Sequence, residues 1–321
     1  APQAVMIADL EGRRTFESDA LAAYRRLPLA VVLPASTEEV SAVLRFCNEN
    51  HVKVVPRGAG TSLCGGATPL EDSIVLGLSR MNKVLEIDAA NRFARVEAGS
   101  TNISITQAAS AQGFFYAPDP SSQVACTIGG NIATNSGGAH CLKYGVTVNN
   151  LLAVRMVMVD GEIVDFGGSH LDSPNYDFLP LITGSEGQLG IVTEASVRLL
   201  AAPEGARPVL IGFDSAQAAA SCVAAIIASG IVPVAIEFMD RPAIHVCEHF
   251  VPAGYPLDAE AALIVEVEGS EDEIEYLLEK IEDIARDYSP ISMKRSQSAE
   301  ESALIWKGRK AAFGAIGQIS D

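Results

Sequence analysis

Val54-Val55-Pro56-Arg57-Gly58-Ala59-Gly60-Thr61-Ser62-Leu63-Cys64-Gly65-Gly66-Ala67 carries a β-branched run into a loop of four glycines. Glycine tolerates positive φ and exposes its backbone, so consecutive N–H groups can face one point. A concave row of N–H groups is a seat for phosphate. Two familiar phosphate motifs fail here. A P-loop needs Lys-Ser/Thr after its last glycine, and Gly66-Ala67 stand there instead. A dinucleotide fingerprint of the G-x-G-x-x-G kind needs a third glycine where Leu63 stands, and it must open a helix. Thr68-Pro69-Leu70-Glu71-Asp72 leads instead into the apolar run Ile74-Val75-Leu76.

The 321 residues carry 23 basic and 40 acidic side chains, a net charge of −17. That sum disfavours nucleic acid and anionic lipid as partners. The apolar content of 48% suits a well-packed α/β-type chain long enough for two domains. Six cysteines at 47, 64, 126, 141, 222 and 247 show no C-x-x-C pair, as expected of reduced thiols in a cytosolic protein. No basic-plus-apolar signal segment opens the given sequence, which begins Ala-Pro, so its beginning is expected to have been processed, cut or left out.

Outward from the loop, Ser36-Thr37-Glu38-Glu39 fits a capping box, with Val40, Val43, Leu44 and Cys47 on one helical face. Val52–Val55 reads as the strand feeding the loop. Ile74–Leu78, Lys83–Asp88 and Phe93–Glu97 read as strands, and Ile103 to Gln112 as a helix stopped by Gly113. That order is α+β rather than strict βαβ alternation. Tyr116–Gly145 reads as irregular, and a loop of that length inside a compact domain is normally functional. Leu151–Asp160 and Glu162–Phe166 form a hairpin through Asp160-Gly161. A further glycine loop, Gly184–Gly190, runs into the strand Ile191–Leu200.

Ala201–Gly205 marks a boundary, so residues 1–204 are expected to form one domain and 205–321 a second. The second part reads strand (Val209–Phe213), helix, strand (Val234–Met239), helix, strand (Leu263–Glu268), helix. Its last helix opens on the capping box Ser270-Glu271-Asp272-Glu273 and runs to about Asp287. Ala216 to Phe238 holds one charge, Glu237, but Gly230 and Pro233 divide it. It reads as a buried helix and a strand, not a membrane span.

Three glycine-rich loops thus share the first part: Pro56–Gly66, Pro118–Gly138 and Gly184–Gly190. The second contains Pro118-Asp119-Pro120-Ser121-Ser122 and Thr127-Ile128-Gly129-Gly130-Asn131-Ile132-Ala133-Thr134-Asn135-Ser136-Gly137-Gly138. The third is Gly184-Ser185-Glu186-Gly187-Gln188-Leu189-Gly190-Ile191-Val192. Several backbone-lined loops without a P-loop lysine suit a long ligand such as a dinucleotide. In this order they resemble the FAD-binding domain of the vanillyl-alcohol oxidase/p-cresol methylhydroxylase superfamily. The likeness is greatest to its branch of bacterial glycolate oxidase flavin subunits and FAD-linked D-lactate and D-2-hydroxyglutarate dehydrogenases. It runs from about Ser18 to the C-terminus.

The resemblance implies an α+β fold: a two-subdomain FAD-binding domain of the p-cresol methylhydroxylase type, then a truncated α+β cap domain with an antiparallel sheet. It implies that Pro56 and the stretch Arg57, Gly58, Ala59, Gly60, Thr61, Ser62 and Leu63 cradle the FAD pyrophosphate through backbone N–H groups. Pro118, Asp119, Ser122, Thr127, Gly129, Gly130, Thr134, Ser136 and Gly137 are expected along the ribityl chain and flavin ring. Gly190, Ile191 and Val192 are expected to finish the pocket at the adenosine. His140 and Cys141 follow the second loop and are expected to be packed or hydrogen-bonded, with no covalent flavin link.

The implied reaction is dehydrogenation of a short 2-hydroxy acid, glycolate or D-lactate, with electrons passed to a partner and on to quinone. In Leu304-Ile305-Trp306-Lys307-Gly308-Arg309-Lys310 the arginine three residues after Trp would clamp the substrate carboxylate, since guanidinium binds carboxylate bidentately. The alternatives are an NADPH-dependent flavin reductase of the same superfamily and a non-catalytic flavin-binding subunit. The resemblance also implies an iron–sulfur subunit, a second flavin-domain subunit or a homodimer, in a cytoplasmic protein held at the inner membrane only through partners.

No metal site is expected. His245 and His249 stand at i, i+4 beside Glu248, but His-Val-Cys-Glu-His is not H-E-x-x-H. Relatives are expected to continue past Ile319-Ser320-Asp321 with histidines and a glutamate that bind metal and act as base. This chain is therefore expected either to be a fragment or to have parts left out.

Overall fold

The structure, a computed structural model, describes residues 4–168 and 176–317. Its chain divides into two compact units. One is Ala1–Gly138 with Gly145–Ala202, and the other is Ala139–Tyr144 with Pro203–Asp321. The six residues 139–144 thus leave the first stretch and pack with the second unit, which their length is too short to reveal as periodicity.

In the first unit a four-stranded sheet runs in the order Val5–Ile7, Ala30–Leu33, Ser73–Gly77, Lys53–Arg57. The outer pair Val5–Ile7 and Ala30–Leu33 is antiparallel and the other two pairings are parallel. The helix Thr37–Glu49 joins the parallel strands, and Ser36 Oγ accepts from the Glu39 N–H at 3.3 Å. Val40, Leu44 and Cys47 on its inner face are buried, and Val40 and Leu44 share a core with Leu76, Val157 and Ile191. Burial contributes about 1.5–3 kcal/mol for each such large side chain. Lys53–Arg57 lies at the sheet edge, and its carboxyl end releases the glycine loop, where ligands of parallel sheets bind.

A five-stranded antiparallel sheet follows in the order Val84–Asp88, Phe93–Glu97, Ile191–Arg198, Leu151–Val157, Ile163–Gly167. Ile191–Arg198 alternates buried and half-buried residues, as one core-facing and one wetter face require. The helices Asn102–Ala109 and Ile128–Thr134 supply Ile105, Ala109, Ile128 and Ile132 to that core. The helix expected to reach Gln112 ends as a 3₁₀ turn at Ser110–Gln112, closed by Gly113 at φ 77°.

The stretch read as irregular, Tyr116–Gly145, holds two short helices, Ile128–Thr134 and Cys141–Tyr144. The first is concealed in sequence by Gly129-Gly130, which disfavour helix by about 1 kcal/mol each. It forms because Thr127 caps its start, its Oγ1 accepting from the Gly130 N–H, and Asn135 closes its end at φ 49°.

The second unit is an antiparallel sheet in the order Ala235–Asp240, Ala261–Gly269, Gly205–Phe213, Ser292–Arg295. Helices Ala216–Ala228 and Glu271–Arg286 cover one face, packing Cys222, Ile226, Leu278 and Ile281 onto Ile211, Leu263 and Val265. On the other face Ile244 and Cys247 of helix Arg241–Phe250 and Ile305 of helix Ala299–Lys310 meet Ala262 and Ile264. Gly230 ends its helix at φ 87°, dividing the apolar stretch as expected from sequence. Among the described residues no helix is long and apolar enough to cross a membrane.

Candidate functional site

In the first unit the three glycine loops close around one cleft with a cavity volume of about 320 Å³. Close approach of backbones makes this possible. A Cβ on Gly58 would collide with Thr127 Oγ1, so the first loop lies directly on the cap of helix Ile128–Thr134. A Cβ on Gly187, at φ 77°, would stand 2.7 Å from Pro56 Cγ, so the third loop lies on the first. The third loop is tied to the second by Gly184 N–H donating to the Ile132 carbonyl and Glu186 N–H to Ala133, both at 2.8 Å.

Among the described residues, none of the N–H groups from Gly58 through Leu63 donates a hydrogen bond to a protein acceptor. Backbone donors in folded proteins are nearly always paired with protein or water. Six successive free donors at the mouth of a cleft therefore form a ready anion seat. Behind them lies a cation, for the Arg57 guanidinium turns under the loop and donates to the Ser18 carbonyl at 2.7 Å. Burial pulls Arg57 below its ordinary pKa, and the Asp19 charge opposes that fall.

Pro56, Arg57, Gly58, Ala59, Gly60, Thr61, Ser62, Ser122, Thr127, Gly129, Gly130, Thr134, Ser136, Gly190, Ile191 and Val192 all line this cleft. Leu63, Pro118, Asp119 and Gly137 are not part of its lining. Leu63 turns outward and is 47% exposed. Pro118 and Asp119 open the second loop but are buried away from the cleft lining, where the Pro118 carbonyl accepts from Asn102 Nδ2 at 2.9 Å. Asp119 backs directly on Gly138. Sequence reasoning missed Cys126, Ile132, Ser185, Glu186 and Gly187 in the lining. The last three lie inside the glycine loop Gly184–Gly190, whose early residues carried the signal. Cys126, just before the cap, and Ile132, inside the concealed helix, carry none, being ordinary apolar positions.

The second unit gathers a polar cluster where the sheet face that is apolar at Ala262 and Ile264 turns acidic at Glu266 and Glu268. Trp306 Nε1 donates to Glu266 Oε1 at 2.7 Å, and His140 Nε2 lies 3.1 Å from Glu266 Oε2. The His140 and Trp306 rings are 5.6 Å apart. Tyr144 donates to Glu268, which also pairs with Lys143 at 2.8 Å. Burial, then the Glu268 partner, holds the Tyr144 phenol above its ordinary pKa. One turn beyond Trp306, Arg309 pairs with Glu237 at 2.6 Å. Its Nε is buried with no hydrogen-bond partner among the described residues. Glu237 stands in sequence only as a lone charge in an apolar run, and that isolation was the available signal of a partner. His245 and His249 lie exposed on helix Arg241–Phe250, while Glu248 accepts from the N–H groups of Ala253, Gly254 and Tyr255.

Residues 28–167 match the FAD binding domain family, and residues 202–320 match the C-terminal domain of FAD linked oxidases. The D-lactate dehydrogenase of Anaerostipes hadrus is 33% identical over 325 residues, covering 98% of this chain and 68% of that protein. The chain belongs to the FAD-linked oxidase family. The glycolate oxidase subunit GlcD of Escherichia coli (strain K12) is 48% identical over 305 residues, covering 95% of this chain. The chain spans 61% of that relative's length. Among solved structures, p-cresol methylhydroxylase with substrate bound superposes with a TM-score of 0.82 at 15% identity, covering 97% of this chain and 68% of that one. That likeness establishes the α+β fold of the p-cresol methylhydroxylase type.

The family's cofactor is FAD. The cleft fits it on the structure's own terms: free donors in series for a pyrophosphate, and a wall of backbone and small side chains with space for flat rings.

Proposed function

We propose that this chain is the FAD-carrying part of an enzyme that oxidises a short 2-hydroxy acid to its 2-oxo acid. The observation that carries the proposal is the cleft: three loops presenting one continuous seat, with unpaired N–H groups at Gly58–Leu63. In this reading those N–H groups hold the pyrophosphate. Ser122, Thr127, Gly129, Gly130, Thr134 and Ser136 flank the ribityl chain and flavin ring, and Gly190, Ile191 and Val192 the adenosine. Leu63 offers its N–H alone, Pro118 and Asp119 buttress the second loop from outside the lining, and Gly137 lies outside it. Bound FAD supplies a two-electron acceptor for the hydride that leaves C2, and the hydroxyl proton leaves to a base.

Arg309 is the proposed clamp for the substrate carboxylate. Glu237 holds one edge of its guanidinium, and Glu266 fixes Trp306 a turn away, so the helix Ala299–Lys310 presents the arginine in one orientation. A carboxylate substrate with a hydroxyl on the next carbon is what such a clamp and a hydride acceptor together suit. The relatives named glycolate oxidase subunit and D-lactate dehydrogenase support glycolate and D-lactate as first substrates to test. The word subunit supports a partner, proposed to be an iron–sulfur protein or a second flavin domain that passes electrons to quinone.

The test is anaerobic mixing of the FAD-loaded protein with substrate while the flavin absorbance near ~450 nm is followed, the band an oxidised flavin carries. Glycolate or D-lactate should bleach it. Bleaching by NADPH and by neither acid would overturn the proposal in favour of a reductase.

A further inference from the structure

The loop Gly58–Leu63 does not stand alone; residues 16–21 grip it from behind. Arg57 Nη1 donates to the Ser18 carbonyl at 2.7 Å and lies 3.4 Å from the Ala67 carbonyl. The guanidinium sits 5.5 Å from the centre of the Phe16 ring, within cation–π range. Ala20 N–H donates to the Ser62 carbonyl at 3.1 Å, which ties the far end of the loop to the same segment. Asp19 is 6% exposed; its Oδ1 accepts from the Leu21 N–H, and its Oδ2 has no hydrogen-bond partner among the described residues. Its charge faces Arg57. A Cβ on Gly60, at φ 74°, would collide with the guanidinium, so the arginine is packed flat under the turn.

We infer that the Arg57 side chain, locked by Phe16, Ser18 and Asp19, is the positioning residue of the pyrophosphate seat. The inference rests on the reading of this cleft as an FAD site. Two physical effects act together. Nη1 holds Ser18 and approaches Ala67 while the guanidinium plane packs under Gly60 and beside the Phe16 ring, and this packing sets the curvature that aims the N–H groups at one point. The guanidinium also places a cation, poorly screened by water, behind donors that face an anion. A lysine retains the charge but offers no planar group to pack under Gly60 and beside Phe16, so it supplies only the second effect.

The experiment compares apoprotein carrying Arg57→Met or Arg57→Lys with the parent. Binding of FAD, ADP and riboflavin is followed by isothermal titration, and the melting temperature of each apoprotein is recorded. FAD affinity should fall about 100-fold for Arg57→Met and about 10-fold for Arg57→Lys, the range for losing a charged hydrogen-bonding group. ADP should share the loss, and riboflavin, which has no phosphate, should keep the parent's affinity. FAD binding within twofold of the parent in a folded variant would overturn the inference. So would an equal loss for riboflavin. Failure of both variants to fold would overturn it as well, since Arg57 would then support the fold and not the seat. A parent protein that binds no FAD would instead refute the reading of the cleft itself.

Discussion

Gly58→Ala isolates the contact that joins the first two loops. Gly58 is not in the left-handed region, so alanine meets no backbone penalty there and the cost is steric alone. The new Cβ would collide with Thr127 Oγ1, while the next neighbours, Thr127 Cβ at 3.6 Å and Gly130 Cα at 3.8 Å, are at ordinary contact distance. The cheapest relief is rotation of the threonine hydroxyl away from the loop. That rotation forfeits the cap, in which Oγ1 accepts from the Gly130 N–H at 3.3 Å. Loss of such a cap costs about 1 kcal/mol, with a range of about 0.5–2. Gly58→Ala should therefore destabilise the apoprotein by about 1–2 kcal/mol, and Thr127→Ala by about 1 kcal/mol. Because both remove the same hydrogen bond, the double variant should be no less stable than Thr127→Ala to within about 0.5 kcal/mol. Urea unfolding followed by circular dichroism reads this, since the only tryptophan, Trp306, lies in the second unit. Additive losses in the double variant would refute the shared-cap reasoning.

Arg309→Met should raise the glycolate or D-lactate concentration that half-bleaches the flavin by about 10- to 100-fold, the loss of a charged hydrogen bond to carboxylate; an unchanged value would remove Arg309 from the site. Tyr255→Phe deletes a hydroxyl that donates to the Ile305 carbonyl at 2.5 Å in the helix bearing Arg309. It should cost about 1 kcal/mol in urea unfolding. Burial pushes the Cys222 thiol up to about 11 from 9.0. The native state therefore keeps that proton more tightly than the unfolded chain, and the stability it contributes is complete below pH 9 and is lost as pH rises through 11. Cys222→Ala should flatten the fall in unfolding free energy over that interval by up to about 3 kcal/mol, checked by urea midpoints at pH 8, 9, 10 and 11.

The loops were legible in sequence because their chemistry is local. Gly58, Gly60, Gly187 and Gly190 announce backbone exposed to a ligand, and the failure of the Walker and dinucleotide patterns narrows what that ligand is. The strands were legible through β-branched runs and the Asp160-Gly161 turn, where the Gly161 N–H bonds the Met158 carbonyl and φ is 86°. What stayed hidden depends on partners far away in sequence. Helix Ile128–Thr134 exists despite its two glycines because Thr127 and Asn135 cap it and Ile128 and Ile132 are buried. Pro118 and Asp119 carry a loop-like composition, yet they serve behind the lining through Asn102 and Gly138. Glu237 and Glu266 become partners of Arg309 and Trp306 only when the sheet brings residues 237 and 266 to one face. Arg57 was legible as part of a backbone cradle; the grip on its side chain by residues 16–19 was not.

The central claim is that the cleft of the first unit seats FAD. Titration of apoprotein with FAD, read by calorimetry and by the flavin's visible spectrum, tests it most directly. Saturation at about one FAD per chain is expected, with the visible bands shifted from those of free FAD by a protein environment, and with competition by ADP. Absence of saturable binding, or binding that ADP leaves untouched, would contradict it.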